Sequence, residues 1–273
     1  LIFSKGGYGA IPATIAGWLL QIPIFLHESD TIPGLSNRIG GVFASQIFVS
    51  FPRTSFFPAK KMMVVGNPIR KEILVGSKEE ARELLKLRGD KPIILFMGGS
   101  QGAQRINDML LVILDEMLKD FEVIHQTGDK NFIQVREEAK VVVSKEHGIY
   151  YHAVPFFKET ELRHVYATTD FIISRAGSGS IFEIASLGKP SNLIPFPEAA
   201  QNHQIQNAYE YASTGAAIVL EEANLTPHFF LEKFKYLLSN PSELAKMSQA
   251  ALQFAKPEAA TTIAQHLIES LAK

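Results

Sequence analysis

The sequence predicts an α/β protein of the doubly wound, parallel-sheet type, and three observations predict it. Short apolar runs bounded by turn residues alternate with amphipathic helical patterns along the chain. Two of those runs pass through Gly/Ser-rich turns straight into helices: Ile93–Met97 into Gly98-Gly99-Ser100-Gln101-Gly102, and Phe171–Ile173 into Ser174-Arg175-Ala176-Gly177-Ser178-Gly179-Ser180. The 273 residues are 46% hydrophobic, enough to bury one or two ordinary cores.

The elements follow in order. Leu1-Ile2-Phe3-Ser4 reads as the end of a strand, so an N-terminal portion is expected before it. Gly6-Gly7-Tyr8-Gly9 reads as a loop. Gly6 to Leu26 carries no charge and is long enough to span a bilayer, but Pro12 and Pro23 interrupt it. Pro12 suits the first turn of a helix ending at Leu20, and Pro23 precedes a strand Ile24–Leu26. The segment therefore reads as a buried helix and a strand of a soluble fold. Strands at Ile47–Val49 and Met62–Val65 follow, then a helix Lys78–Leu87 with Ser77 and Glu80 in a capping-box pattern. Strands at Ile93–Met97, Val123–His125, Ile149–Val154, Phe171–Ile173, Asn192–Ile194 and Ala217–Leu220 make a second, complete unit. Thr226–Lys273 is helical in three pieces broken at Pro241 and Pro257. Gly66-Asn67-Pro68 is the expected boundary. Residues 1–66 form a partial first domain, 67–255 a second, and 256–273 a C-terminal helix that packs back on the first.

Composition excludes several classes. The net charge of −1 offers no basic field for nucleic acid. The chain has no cysteine, so disulfides and thiolate metal sites are ruled out, and a reducing compartment fits. No charged segment with a cleavage site opens the chain. The glycine spacing matches neither a dinucleotide fingerprint nor a P-loop, which argues against an NAD-dependent oxidoreductase. No Asp-x-Asp pair occurs, and no metal is expected.

A strand, a Gly/Ser turn and a helix together point free backbone N–H groups and the positive helix end at one place. Such a place holds phosphate, and two of them in one unit suggest a nucleotide diphosphate. Each motif also has a plain structural reading. Gly98-Gly99 is equally a tight turn, and Ser180 with Glu183, placed in the first helical turn, is equally a capping box.

The motifs Gly98-Gly99-Ser100-Gln101-Gly102-Ala103, Ser174 to Glu183, and Asn202-His203-Gln204 with Asn207-Ala208 resemble those of the MurG enzymes. Upstream blocks agree and in the same order: Gly6-Gly7-Tyr8, His27-Glu28-Ser29-Asp30, Pro33-Gly34-Leu35-Ser36-Asn37 and Val65-Gly66-Asn67-Pro68-Ile69-Arg70. The family transfers N-acetylglucosamine from UDP-GlcNAc to a lipid-linked muramyl-pentapeptide in peptidoglycan synthesis. It has the GT-B glycosyltransferase fold of two Rossmann-like domains, of which the first is incomplete in this chain.

The resemblance implies a donor site of Asp30, Arg70, Ser100, Gln101, Gly102, Phe157, Ser178, Gly179, Ser180, Ile181, Phe182, Glu183, His203, Gln204 and Asn207. Glu183 would accept the ribose hydroxyls. Ser100, with the amides of Gln101 and Gly102, and the N–H groups of Ser178 to Ile181 would hold the diphosphate. Arg70 would offset charge on the leaving group. Gln204, supported by Asn207, would read the sugar, and Phe156-Phe157 would cover the uracil. Gly6, Gly7, Tyr8, His27 and Glu28 fall on the acceptor side. The family's first glycine loop and its histidine would precede residue 1, so no catalytic base is named. Many relatives carry Asn where this chain has Asp30, which accepts hydrogen bonds but cannot donate them. UDP-GlcNAc would be a substrate and no cofactor is implied. The remaining partners would be the polyprenyl-diphosphate acceptor and the inner leaflet of the cytoplasmic membrane, on whose cytosolic face the enzyme would lie. Trp18 and the segment Arg53 to Lys61, with Phe56-Phe57, suit such an interface, although core packing accounts for Trp18 as well. Two rivals stand beside this reading: a UDP-GlcNAc epimerase of the same fold, and a sugar-nucleotide-binding module without activity.

Overall fold

The computed structural model describes residues 1–54, 56–98 and 104–272. Its first unit is a four-stranded parallel sheet in the order β1 (Ile2–Ser4), β2 (Ile24–Glu28), β3 (Gln46–Val49) and β4 (Met62–Val64), with α1 (Ala10–Leu19) and α2 (Leu35–Phe43) as its crossovers. The second unit runs β5 (Ile93–Met97), α4 (Gln104–Asp120), β6 (Glu122–Gln126), α5 (Phe132–Val142), β7 (Tyr151–Val154), α6 (Glu159–Thr168), β8 (Phe171–Ser174), α7 (Ser178–Ser186), β9 (Ser191–Leu193), α8 (His203–Ala212) and β10 (Ala217–Val219), with α3 (Lys78–Leu85) before it. Its six strands lie parallel in the order β10-β9-β8-β5-β6-β7. Helices α9 (Pro227–Leu238), α10 (Pro241–Phe254) and α11 (Ala259–Leu271) follow, the last two separated at Pro257.

Strand order reverses between β5 and β8. In an open parallel sheet the crevice beyond the strand ends at such a reversal is where ligands bind. Strands β5 and β8 both end at that point, and the Gly/Ser turn after β8 leaves there. The inner strands β5, β6, β8 and β9 are buried along their whole length, as a parallel sheet covered by helices requires, while the edge strands β7 and β10 are partly exposed. Ile94, Phe96, Phe171 and Ile173 pack under α4 and α9, and Leu95, Ile172 and Tyr166 pack on the other face.

The chain passes between the sheets at two places that touch. Gly66 has φ +87, and a Cβ there would lie 2.3 Å from Cβ of Lys256, so only glycine fits this crossing. Beyond it, Ile263 and Leu267 of α11 pack on Phe25, Phe48 and Val65 of the first sheet.

Several sequence expectations need correction. The third strand of the second unit begins at Tyr151, after a single helical turn at Gly148–Tyr150. The Ser77 hydroxyl caps α3 through the Glu80 N–H, but Glu80 does not reach back. Its carboxylate lies 3.0 Å from Nε2 of His164, whose Nδ1 takes the Ser77 N–H instead. Helix α1 is not buried: only Thr14 and Gly17 are, while Ile15, Trp18, Leu19 and Leu20 are exposed. Among the described residues no helix is long and apolar enough to cross a membrane.

Candidate functional site

The site lies where the ends of β5 and β8 face the ends of β1 and β2. On the far side, α7 begins at Gly177, whose extended backbone turns the chain into the helix. The first N–H groups of a helix have no carbonyl one turn earlier, so those of Ser178, Gly179 and Ser180 are open to a ligand. The Ile181 N–H is not, because it bonds the Gly177 carbonyl at 3.0 Å. Glu183 therefore lies in the second turn, and Ser180 with Glu183 is not a capping box.

Glu183 is the centre of a charged cluster. Its Oε1 accepts from Nε and Nη2 of Arg70 at 2.9 and 2.7 Å, and its Oε2 from the hydroxyl of buried Tyr166 at 3.2 Å. Arg70 also donates to Glu159 at 3.2 Å. Burial works against the charge on Arg70, but these two carboxylates outweigh it and move its pKa up.

Arg175, the last residue before the turn, holds the neighbouring loop. Its Nη1 donates to the carbonyl of Ile194 at 3.1 Å, its Nη2 pairs with buried Glu222, and its guanidinium lies 5.3 Å from the Phe196 ring centre. The Phe196 N–H in turn donates to Oε1 of Gln204 at 3.0 Å.

On the near side, Gly6 and Gly7 both have positive φ, and a Cβ at Gly6 would lie 2.5 Å from Oδ1 of Asn37. Asn37 donates to Oε2 of Glu28 at 2.7 Å, and Oε1 accepts the Asp30 N–H at 2.9 Å. Burial raises the pKa of Glu28 against those hydrogen bonds. His27 is buried beside it, with Nε2 3.1 Å from the Gly66 carbonyl, and burial lowers its pKa to about 4. The ring is therefore neutral at pH 7.

The two sides meet. Ser178 donates to the Ser29 carbonyl at 2.5 Å, and Arg38 to Oε1 of Gln201 at 2.9 Å. Asn207 donates to Oδ1 of Asp30 at 2.7 Å and accepts from the N–H and hydroxyl of Thr31 at 2.8 and 2.9 Å.

This chain matches the family model "Glycosyltransferase family 28 C-terminal domain" over residues 93–263 and "Glycosyltransferase family 28 N-terminal domain" over residues 1–49. It is 38% identical over 272 residues to a Bacillus cereus UDP-N-acetylglucosamine--N-acetylmuramyl-(pentapeptide) pyrophosphoryl-undecaprenol N-acetylglucosamine transferase, covering 99% of this chain and 74% of that one. Its fold superposes on Acinetobacter baumannii MurG with a TM-score of 0.78 at 28% identity, over 98% of this chain and 74% of the other. The chain belongs to the MurG family of glycosyltransferases. A UDP-GlcNAc 2-epimerase from Neisseria meningitidis shares the fold with a TM-score of 0.70, over 97% of this chain and 75% of its own, but at only 15% identity.

In this MurG-family chain, bonds join Arg70 to Glu183 beside the start of α7, Ser178 to the Ser29 carbonyl and Asn207 to Asp30, while Gln204 bonds the Phe196 N–H and Glu28 bonds Asn37 under Gly6. Tyr8 is almost fully exposed in the same glycine loop, and His203 opens α8. Ser100, Gln101 and Gly102 lie outside the described residues. Three expectations change. Phe157 is core: its ring is buried and its N–H is taken by Oε1 of Gln126, while its neighbour Phe156 is exposed. Ile181 and Phe182 are buried as well, Phe182 against Phe51 and Phe254. Asn207 has its amide engaged by Asp30 and Thr31, so its role in this structure is to join the two sides. Sequence reasoning does not single out Arg175, Tyr166 or Thr31 as site residues. Arg175 stands inside the turn motif, but its partner Glu222 is distant in sequence. Among the described residues no three His, Asp or Glu side chains group as a metal site.

Proposed function

We propose that residues 67–255 bind UDP-GlcNAc at the ends of β5 and β8, and that residues 1–66 with 256–273 present the acceptor. The chain is a hexosyltransferase that moves N-acetylglucosamine from UDP-GlcNAc to lipid-linked muramyl-pentapeptide, the lipid I to lipid II step of peptidoglycan synthesis. In the inverting displacement, the C4 hydroxyl oxygen of the muramyl sugar forms a bond to C1 of the donor. The C1–O bond to the diphosphate breaks, UDP leaves with the electron pair, and the hydroxyl proton passes to a base. Glu183 takes the ribose hydroxyls through the accepting capacity that Arg70 and Tyr166 leave it. The open N–H groups of Ser178, Gly179 and Ser180, with Ser100, Gln101 and Gly102, hold the diphosphate against the helix ends. Arg70 stands beside this group as a fixed positive charge and stabilises the departing UDP. Gln204 reads the sugar, and Phe156 covers the uracil.

The observation that carries the assignment of roles is the buried Glu183 carboxylate, held by Arg70 and Tyr166 on the helix that follows β8 at the sheet's switch point. Thermal unfolding with UDP-GlcNAc, UDP-glucose and NADH in separate titrations tests it. A ligand at 100 times its Kd stabilises by about 2.7 kcal/mol, so UDP-GlcNAc should raise Tm visibly and NADH should not. Transfer of labelled N-acetylglucosamine to the lipid acceptor then separates the transferase from the epimerase reading, since an epimerase turns over donor alone.

The exposed apolar face of α1, with Trp18, Leu19 and Leu20, and the cations Arg53, Lys60 and Lys61 suit peripheral binding at the cytoplasmic face of the plasma membrane. Phe56 is exposed and carries Arg38 over its ring at 4.5 Å, whereas Phe57 is buried in the core of the first unit.

A further inference from the structure

The geometry points to Asn207 as a positioning residue that clasps the two sheets together over the cleft, with Asp30 setting the orientation of its amide. This inference rests on the donor-site reading above for its effect on turnover, though not for the clasp itself.

Asn207 is wholly buried in α8, yet its partners come from the other unit. Its Oδ1 accepts two hydrogen bonds from Thr31, and its Nδ2 donates to Asp30 at 2.7 Å. The remaining direction of Nδ2 leads to the Ala176 carbonyl at 3.4 Å, in the turn that carries β8 into α7. One amide thus ties the loop after β2 to the turn that presents the open N–H groups of α7. A carboxamide can be inserted either way round, so its partners decide the orientation. The Thr31 N–H only donates and the Asp30 carboxylate only accepts, which leaves one orientation.

The neighbouring contacts lie in the same seam. Ser178 bonds the Ser29 carbonyl on one flank, and Arg38 bonds Gln201 on the other. Gln201 and Asn202 both have φ 57, a left-handed conformation that residues other than glycine rarely adopt, just where the chain enters α8. The strained entry to α8 is therefore held at the clasp, by a side chain reaching over from α2. Closing the seam brings the acceptor-side loop onto the helix end assigned to the diphosphate. Opening it moves the two substrates apart without removing a group that touches the donor ribose. Asn207 then acts chiefly on kcat.

Exchanging charge across the clasp tests this. Asn207→Asp faces one carboxylate with another and should open the seam. Adding Asp30→Asn restores one donor and one acceptor. The amide introduced at position 30 can donate to the carboxylate introduced at position 207, and Thr31 still donates to that carboxylate. The chain has no cysteine, so Val42→Cys and Val141→Cys, both exposed and one in each unit, can carry nitroxides without background labelling. Pulsed dipolar EPR without ligand should give a narrow distance distribution for the parent. The distribution should be longer and broader for Asn207→Asp and return for the exchanged pair. In the transferase assay kcat should fall at least tenfold in Asn207→Asp and recover to within threefold in the exchanged pair, with KM for UDP-GlcNAc changing less than threefold throughout. A distance distribution unchanged by Asn207→Asp in folded protein overturns the clasp, as does an exchanged pair that folds and whose distances move no closer to the parent's than those of Asn207→Asp alone. Should Asn207→Asp fail to fold, Asp30→Ala probes the same bond from the half-buried side, and an unchanged distance there also overturns it. Failure of the parent to bind UDP-GlcNAc would sink the donor reading instead, because the distances are measured without it.

Discussion

Replacing Glu183 with alanine separates the two things its carboxylate does. In the native structure it accepts two hydrogen bonds from Arg70 and one from Tyr166, which occupies three of about four lone-pair positions. Without it, the hydroxyl of the wholly buried Tyr166 has no acceptor, a loss of about 1–3 kcal/mol. Arg70 is more than a third exposed and retains Glu159, so its own loss is at most about 1 kcal/mol. The sum, roughly 1–4 kcal/mol, lowers Tm by roughly 2–7 °C in a chain of this size. Donor binding loses hydrogen bonds to a charged acceptor, about 1.5–3 kcal/mol, or roughly ten- to a hundredfold in Kd. Isothermal titration calorimetry with UDP-GlcNAc, well below the lowered Tm, measures the second effect free of the first. Glu183→Gln controls for folding: it keeps the shape, and its amide can meet the Tyr166 oxygen, so it should melt closer to the parent while still binding donor weakly. A Kd for Glu183→Ala within threefold of the parent would refute the ribose assignment.

Tyr166→Phe removes the hydroxyl that fixes Oε2 of Glu183; it should cost about 1 kcal/mol in urea unfolding and raise the donor Kd a few fold, and equal Kd values would show that Glu183 needs no such support. Burial lowers the pKa of His27 to about 4 and that of His125 to about 3, so both are neutral when folded and gain a proton more readily when unfolded. The unfolded chain therefore binds more protons below about pH 6.5, and stability present above that pH is lost as pH falls towards 4, by about 3 kcal/mol for His27 alone. Glu28 and Glu210, with pKa raised by burial, act in the opposite sense, while Glu122, held low by His152 and the Arg88 and Gly89 N–H groups against its burial, acts with the histidines. Urea midpoints at pH 7, 5.5 and 4.5 should fall in that order; a midpoint level or rising down to pH 5 contradicts the neutral buried rings. Trp18→Ser with Phe56→Ser removes about 2 kcal/mol of apolar burial per ring and should weaken partition onto anionic liposomes at least tenfold with donor affinity unchanged. Phe57→Ser should instead lower Tm, since Phe57 packs where a Cβ on Gly41 would come within 2.7 Å of its ring, and unchanged partition of the double variant ends the membrane assignment.

Much of the fold was legible because a parallel strand buried on both faces must be apolar throughout. Ile93-Ile94-Leu95-Phe96-Met97 therefore announced its own ends, and β5 spans those same residues. The prolines at 12, 241 and 257 marked the helices for a local reason, the missing N–H and fixed φ. Legibility ended where a residue's meaning depends on distant partners. Phe156 and Phe157 are identical in sequence, yet one is exposed and the other is core, a difference set by how the chain leaves β7. The Ser180 and Glu183 pattern fits a capping box by local spacing, but the helix starts three residues earlier, at Ser178 rather than Ile181, because extended Gly177 lets it. Helix α1 reads as buried because it lacks charge, and an uncharged helix face looks the same in sequence whether it meets a core or remains uncovered.

The same dependence on distant partners explains why Arg70 matters more than a single arginine ordinarily would. It follows the Gly66-Asn67-Pro68 crossing between the sheets, so its backbone belongs to the connection and its guanidinium to the donor side. Its fork holds Oε1 of Glu183 through two donors, leaving Oε2 and its remaining lone pair for the ribose. A ribose that demanded both carboxylate oxygens would have to displace one arm of that fork. The released N–H would be free beside the helix end where the diphosphate is proposed to lie. In the proposed donor site Arg70 would thus answer ribose binding with charge at the leaving group, and a lysine there, with the same charge but no planar fork, could not hold Glu183 in the same way.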